Sequence, residues 1–322
     1  MPLINHADYQ PPYWLFNGHL QTIIPSQFRK VDNLVYQRER LKTPDKDFLL
    51  LDWAGEASDK LAIISHGLEG DSQRAYIKGI ARAFVKKGYQ VLAWNYRGCG
   101  GEMNDTLRFY HSGATDDLAY IISHALQRGS YSKVVLVGFS LGGNLTLKYL
   151  GENGKHLPEP IKKGITFSVP LDLHSSSLKI GEATNFIYSQ RFLRNLKKKI
   201  EQKVLQMPDS LSMEYFGKIK SLKDFDNFYT APLHGFKDAV DYYSQCSSLY
   251  FLDKIKIPTL IVNARNDPFL SPQCYPEKML ENHPHVYLQV PDEGGHVGFM
   301  QKGVGRDEDY WSDIKAVEFA ES

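Results

Sequence analysis

Apolar residues recur along this chain in two alternating rhythms. From residue 61, the short runs "LAIISHG" (61–67), "YQVLAWNYRG" (89–98), "KVVLVGFS" (133–140) and "IKKGITFSV" (161–169) read as strands. Between them, "RAYIKGIARAFVKKG" (74–88), "TDDLAYIISHALQRG" (115–129) and "LGGNLTLKYLGE" (141–152) repeat apolar residues at helical spacing, the first helix ending at Gly88. Short buried strands alternating with helices predict an α/β fold, a mostly parallel sheet covered on both faces. Upstream, "NLVYQRERL" (33–41) and "FLLLDWA" (48–54) read as two early strands with the Thr43-Pro44-Asp45 turn region between them. The first thirty residues, rich in aromatics and proline, are expected to wrap the surface of this core.

The alternation stops near Pro170 and resumes at "IPTLIVNARND" (257–267), followed by a helix in "PQCYPEKMLEN" (272–282), a strand in "HVYLQV" (285–290) and a closing helix in "DYWSDIKAVEFAE" (309–321). The intervening stretch is mostly helical and charged, which reads as a lid inserted into one core. The expected division is 1–171 for the first part of the core, 172–235 for the helical lid and 236–322 for the second part. Inside the lid, Leu193, Leu196, Ile200 and Val204 form one helical stripe, flanked by Arg191, Arg194, Lys197, Lys198, Lys199 and Lys203. Such a helix can rest on an anionic membrane, or roof a pocket with its charges in water; the second use is favoured.

Composition narrows the field. Of the 322 residues, 42% are hydrophobic and 23% charged, with a net charge of +1, so nothing global points to nucleic acid or an acidic partner. The apolar runs are too short to span a bilayer, and the N-terminus has no basic start leading into an apolar core. Three widely spaced cysteines, Cys99, Cys246 and Cys274, form neither a zinc pattern nor a disulfide framework, and the expected location is the cytoplasm. No cofactor and no metal is called for: Gly98-Cys99-Gly100 would open a dinucleotide fingerprint only with glycine at 103, where Met103 stands, and no H-x-x-x-H spacing or carboxylate cluster proposes a metal. Cys99 has no base arranged for it. No feature sets an oligomeric state.

The candidate chemistry lies in the loops. Gly138-Phe139-Ser140-Leu141-Gly142 sits where a buried strand becomes a helix, and small residues two positions either side of the serine let strand and helix approach. Ser140 is therefore the candidate nucleophile. A serine needs a base, and a carboxylate to orient that base, and in an α/β sheet the order along the chain is serine, acid, histidine. His296 ends the last strand after two glycines. His66 also ends a strand but precedes Ser140, and His283 and His285 flank Pro284 in a loop. For the acid, Asp267 at the end of "TLIVNARND" is favoured over a plain N-cap role, and over Asp292 and Glu293, which share a loop with His296. The oxyanion donors are expected at the backbone N–H of Leu141, the first helical residue, and of Leu68 in "SHGLEG", with His66 bracing that loop.

These motifs resemble the α/β-hydrolase superfamily and, within it, the YheT-like (AB hydrolase 4) family. The likeness runs through "NGHLQTIIPS", "SHGLEG", "NYRGCGGEMN", "GFSLGGN", "TAPLHGFKDAVDYY", "ARNDPF" and "GGHVGF". It implies a Ser140–Asp267–His296 triad, with Leu68 and Leu141 as oxyanion donors. Relatives often read Asp-Asp-Pro where this chain has Asn266-Asp267-Pro268; the aspartate carried over is the second. The expected function is a serine carboxylesterase acting on a small-molecule acyl ester of short to medium chain. An acyltransferase or lipase on fatty-acyl esters is the alternative, and a non-catalytic ligand-binding protein on the same scaffold is the alternative of another class.

Overall fold

A computed structural model describes the backbone of residues 3–4, and residues 8–305 and 307–322 in full. Among the described residues nine strands form one sheet: β1 (Leu3–Ile4), β2 (Gln37–Lys42), β3 (Phe48–Ala54), β4 (Lys60–Ser65), β5 (Gln90–Asn95), β6 (Lys133–Phe139), β7 (Ile161–Phe167), β8 (Thr259–Val262) and β9 (Val286–Gln289). Their order is β1-β9-β8-β7-β6-β4-β5-β3-β2. β3 runs antiparallel to β2 and β5, and every other pairing is parallel. This is the α/β architecture expected from the alternation.

Both faces of the sheet are covered because the strand side chains alternate between two cores. In β6, Val134 and Leu136 join the cluster under α3 (Thr115–Arg128) and α4 (Leu141–Asn153). Val135, Val137 and Phe139 join the opposite cluster, under α2 (Ala75–Lys86) and α11 (Trp311–Glu321). Each fully buried side chain of this size contributes roughly 1.5–3 kcal/mol. β4 pairs with β5 on one side and β6 on the other, so the strand order reverses there. The crevice beyond the C-terminal ends of such strands is where α/β sheets bind ligands. The loops leaving β4 and β6 carry His66-Gly67-Leu68 and Ser140.

Between β7 and β8 the chain leaves the sheet through α5 (Leu173–Ile180), α6 (Phe186–Gln206), two short helices α7 (Leu222–Phe225) and α8 (Ala231–Leu233), and α9 (Ala239–Cys246). Leu193, Leu196, Ile200, Leu222, Phe225 and Tyr229 pack there as a small core of their own with Phe109. Two of the basic residues assigned to the solvated face of α6 are instead buried. The ammonium of Lys199 lies 2.7 Å from the Glu69 carboxylate and 3.1 Å from the Cys99 sulfur. Lys203 donates to the carbonyls of Asn104 and Thr106. Both lysines reach inward because α6 lies directly on the loops that follow β4 and β5. No helix among the described residues is long and apolar enough to cross a membrane.

Two further expectations are corrected. Residues 272–282 form no continuous helix: a turn at Pro272–Cys274 precedes α10 (Glu277–Leu280), because Pro276 interrupts the ladder. The first thirty residues do more than wrap the surface. Leu3–Ile4 pair with β9 at the sheet edge, and α1 (Gly18–Phe28) buries Gly18, Gln21, Thr22 and Pro25. Asn17 caps α1, its side chain accepting the Leu20 N–H at 2.9 Å.

Candidate active site

Ser140 sits at the apex between β6 and α4 with φ 53° and ψ −121°, a conformation L-residues adopt rarely. It is held by the surroundings. The Ser140 N–H donates to Phe167 O at 2.9 Å, and a Cβ on Gly138 would collide with the Gly142 carbonyl. Gly67 meets the same constraint from the other side, since a Cβ there would stand 3.2 Å from Ser140 Cβ.

The structure brings Ser140, His296 and Asp267 into one line. His296 Nε2 is 2.9 Å from Ser140 Oγ, and its Nδ1 is 2.8 Å from Asp267 Oδ2 and 3.1 Å from Oδ1. The Asp267 side chain is fully buried and also accepts the Phe269 N–H at 2.9 Å, while the Phe269 ring packs 4.3 Å from the imidazole. No helix begins at Asp267, so its carboxylate is not an N-cap. Asp292 is exposed, and Glu293 accepts from Gln21.

Leu68 and Leu141 line the same cavity as Ser140 and His296. Leu141 opens α4, where the first N–H groups have no intrahelical partner. The amides either side of Leu68 are tied down: Gly67 N–H donates to the Tyr76 hydroxyl and Glu69 N–H to the Tyr110 hydroxyl, both at 3.0 Å. His66 is fully buried, its Nδ1 2.7 Å from Gly67 O and its Nε2 3.3 Å from the Tyr96 N–H. Burial pushes its pKa down to about 3, so it braces the loop as a neutral ring. Burial likewise pushes the Cys99 thiol up to about 11, which keeps it protonated and unreactive.

What the motif reading missed is the bracket formed by α1. Gln21 Oε1 accepts from Asn266 Nδ2 at 2.9 Å and from the Gly294 N–H at 2.7 Å, while its Nε2 donates to Leu15 O and Glu293 Oε1. Thr22 Oγ1 accepts the His296 N–H at 2.8 Å, Asn266 Oδ1 accepts the Gly295 N–H, and Ser168 Oγ accepts the Val297 N–H. The loops carrying Asp267 and His296 are thus fastened to one helix. The sequence signal that could have found it is the "NGHLQTIIPS" motif. Replacing Gln21 by Met keeps the volume but strands several buried polar groups, at about 1–3 kcal/mol each. Gln21→Met is expected to lower kcat by roughly 10- to 100-fold with little change in KM, since small misplacements of reacting groups carry costs of that order. Gln21→Glu paired with Glu293→Gln keeps the acceptor contacts and the 21–293 hydrogen bond but sets a carboxylate oxygen against the Leu15 carbonyl, so it should recover only part of the loss. Steady-state kinetics beside melting curves check this.

Comparison with known proteins places the chain. The family model for the alpha/beta hydrolase fold matches residues 62–303. The chain belongs to the α/β-hydrolase fold family. Within it the chain falls in the YheT-like branch: it is 34% identical over 300 residues to the Escherichia coli (strain K12) protein named "Putative esterase YheT", covering 91% of this chain and 87% of that one. It is also 28% identical over 303 residues to the human phospholipase ABHD3, covering 91% of this chain and 74% of the relative. Among solved structures, the Pyrococcus furiosus esterase Pf2001 shares the fold with a TM-score of 0.59 at 17% identity, over 98% of both chains.

Proposed function

We propose that this enzyme is a serine carboxylesterase that hydrolyses short- to medium-chain acyl esters through an acyl-enzyme. The observation that carries the reading is the hydrogen-bonded line from Ser140 through His296 to buried Asp267, opening into an apolar cavity. Ser140 Oγ attacks the ester carbonyl while His296 Nε2 takes its proton, and Asp267 holds the imidazole tautomer that leaves Nε2 free to accept. The carbonyl oxygen gains negative charge and is met by the N–H groups of Leu68 and Leu141. His296 then gives its proton to the departing alcohol as the C–O bond breaks. A water molecule attacks the acyl-enzyme, losing its proton to His296, which returns it to Ser140 as the carboxylic acid leaves.

Residues 172–235 act as the lid in this reading. Leu196, Ile200, Leu222 and Phe225 come from that segment and line the cavity with Ser140. Each methylene placed against them gains up to about 0.8 kcal/mol, a few-fold in specificity. The test is a chain-length panel of acyl esters. The enzyme should prefer chains longer than acetate, and the double variant Leu196→Ala, Ile200→Ala should flatten the dependence on length while acetate turnover falls much less. A panel with no ester turned over would overturn the reading, and acyl transfer to an added alcohol outpacing hydrolysis would make the enzyme a transferase.

A further inference from the structure

The space in front of Ser140 is divided in two. Leu68, Ser140, Phe192, Phe269 and His296 line both parts and form the throat between them. Beyond the throat on one side lies the apolar cavity under α6. On the other side a second chamber opens between α1, the first turn of α2 and the start of α6.

The chemistry of this second chamber differs. Its lining carries three arginines, Arg29, Arg74 and Arg191, and among the described residues Glu69 is its one carboxylate. Arg29 is spent on an ion pair with buried Asp313 and lies over the Tyr310 ring. Glu69 is ion-paired, its Oε1 accepting from Lys199 and from the Tyr110 hydroxyl, each at 2.7 Å. Arg74 gives one N–H to the Glu69 carbonyl at 3.0 Å and forms only a loose ion pair with Asp71, at 3.9 Å, outside the chamber lining. Arg191 has no ion pair among the described residues and is exposed at the chamber edge. Ala75 and Tyr76 also line it, so α2 turns an uncapped first turn, with no acidic residue in it, toward the same space. Two arginines with donors to spare therefore face a chamber whose one lining carboxylate among the described residues is neutralised by Lys199.

We propose that the second chamber is the alcohol-side subsite and that it takes a negatively charged group, a phosphate or carboxylate carried on the alcohol of the ester, held by Arg74 and Arg191. The inference rests on the serine-esterase reading of Ser140. In the tetrahedral adduct the acyl chain and the departing alcohol project from the same carbon in different directions. With the apolar cavity holding the acyl chain, the alcohol is left facing the arginines. Guanidinium groups match both anions through paired N–H donors.

Three butyryl esters short enough to stay monomeric test this: those of glycerol, glycerol 3-phosphate and glyceric acid. The expected result is a kcat/KM at least about tenfold higher for a charged ester than for the glycerol ester, carried by KM and falling as salt rises. The rank of phosphate against carboxylate tells which anion the site fits. In Arg74→Gln and Arg191→Gln the ratio of charged to neutral ester should drop about tenfold each, the size of one charge-assisted contact. Arg191 holds no other residue in place, so its variant remains informative if Arg74→Gln disturbs the Glu69 loop. Equal use of neutral and charged esters, or ratios unmoved by both substitutions, would overturn the proposal. Hydrolysis of the glycerol ester without any preference refutes this subsite alone, whereas failure to hydrolyse any of the three refutes the esterase reading beneath it.

Discussion

Ser140→Ala should lose covalent labelling by a serine-directed phosphonate and nearly all turnover of the preferred ester. Loss of the nucleophile costs on the order of 10⁶ in kcat in a serine protease, and the same hydroxyl-to-imidazole geometry is present here at 2.9 Å. The substitution is small, and alanine lacks only the reacting oxygen. The constraints on the turn remain, because they act on the backbone and on Gly67, Gly138 and Gly142. Melting temperature should accordingly stay near that of the parent, separating lost chemistry from lost structure. Mass spectrometry of the labelled parent should place the phosphonate on Ser140. Labelling of the alanine variant at the parental rate would remove Ser140 from the mechanism.

Asp267→Asn should lower kcat by about 10⁴, the cost of the equivalent change in a serine protease. An asparagine amide group facing Nδ1 favours the tautomer in which Nε2 carries the proton and can no longer accept one from Ser140. Because Asp267 is fully buried against the imidazole and Phe269, the isosteric amide stays facing Nδ1. Asp292→Asn, on the exposed side of the following loop, should stay near wild type. Added to Ser140→Ala, Asp267→Asn should cost little more, since groups acting as one unit are not additive. The reverse ranking of the two aspartate variants would transfer the role to Asp292.

Much of the fold was legible because its signals are local. The strand runs in 61–169 and the helices between them are set by periodicity over a few residues, and they stand where that periodicity puts them. The glycine pattern around Ser140 is legible for the same reason, since its steric demands fall within five residues. Gln21, Thr22, Lys199 and Lys203 escaped because polar residues are read as solvated unless a partner is known. Gln21 finds its partners 245 and 273 residues away, and Lys199 meets Glu69 130 residues away. Hydrophobic patterning carries no record of such distant pairing. The break at 272–280 has a local cause: Pro276 lacks the N–H that a helix running through it would need.

The long reach of α1 also orders events during folding. Contacts within the β4–β7 block close loops of tens of residues, whereas joining Gln21 to Asn266 and Gly294 closes nearly the whole chain. The entropy of closing a loop grows only slowly with its length, but nonlocal contacts form late because the ends must first be brought near each other. The sheet and its two cores can therefore consolidate while the loops bearing Asp267 and His296 still lack their fastening. During synthesis α1 emerges well before its partners, so the helix must wait for more than two hundred residues before its hydrogen bonds can be made. Catalytic competence would then lag behind compactness in a refolding experiment, with the return of activity slower than the burial of the core tryptophan Trp94.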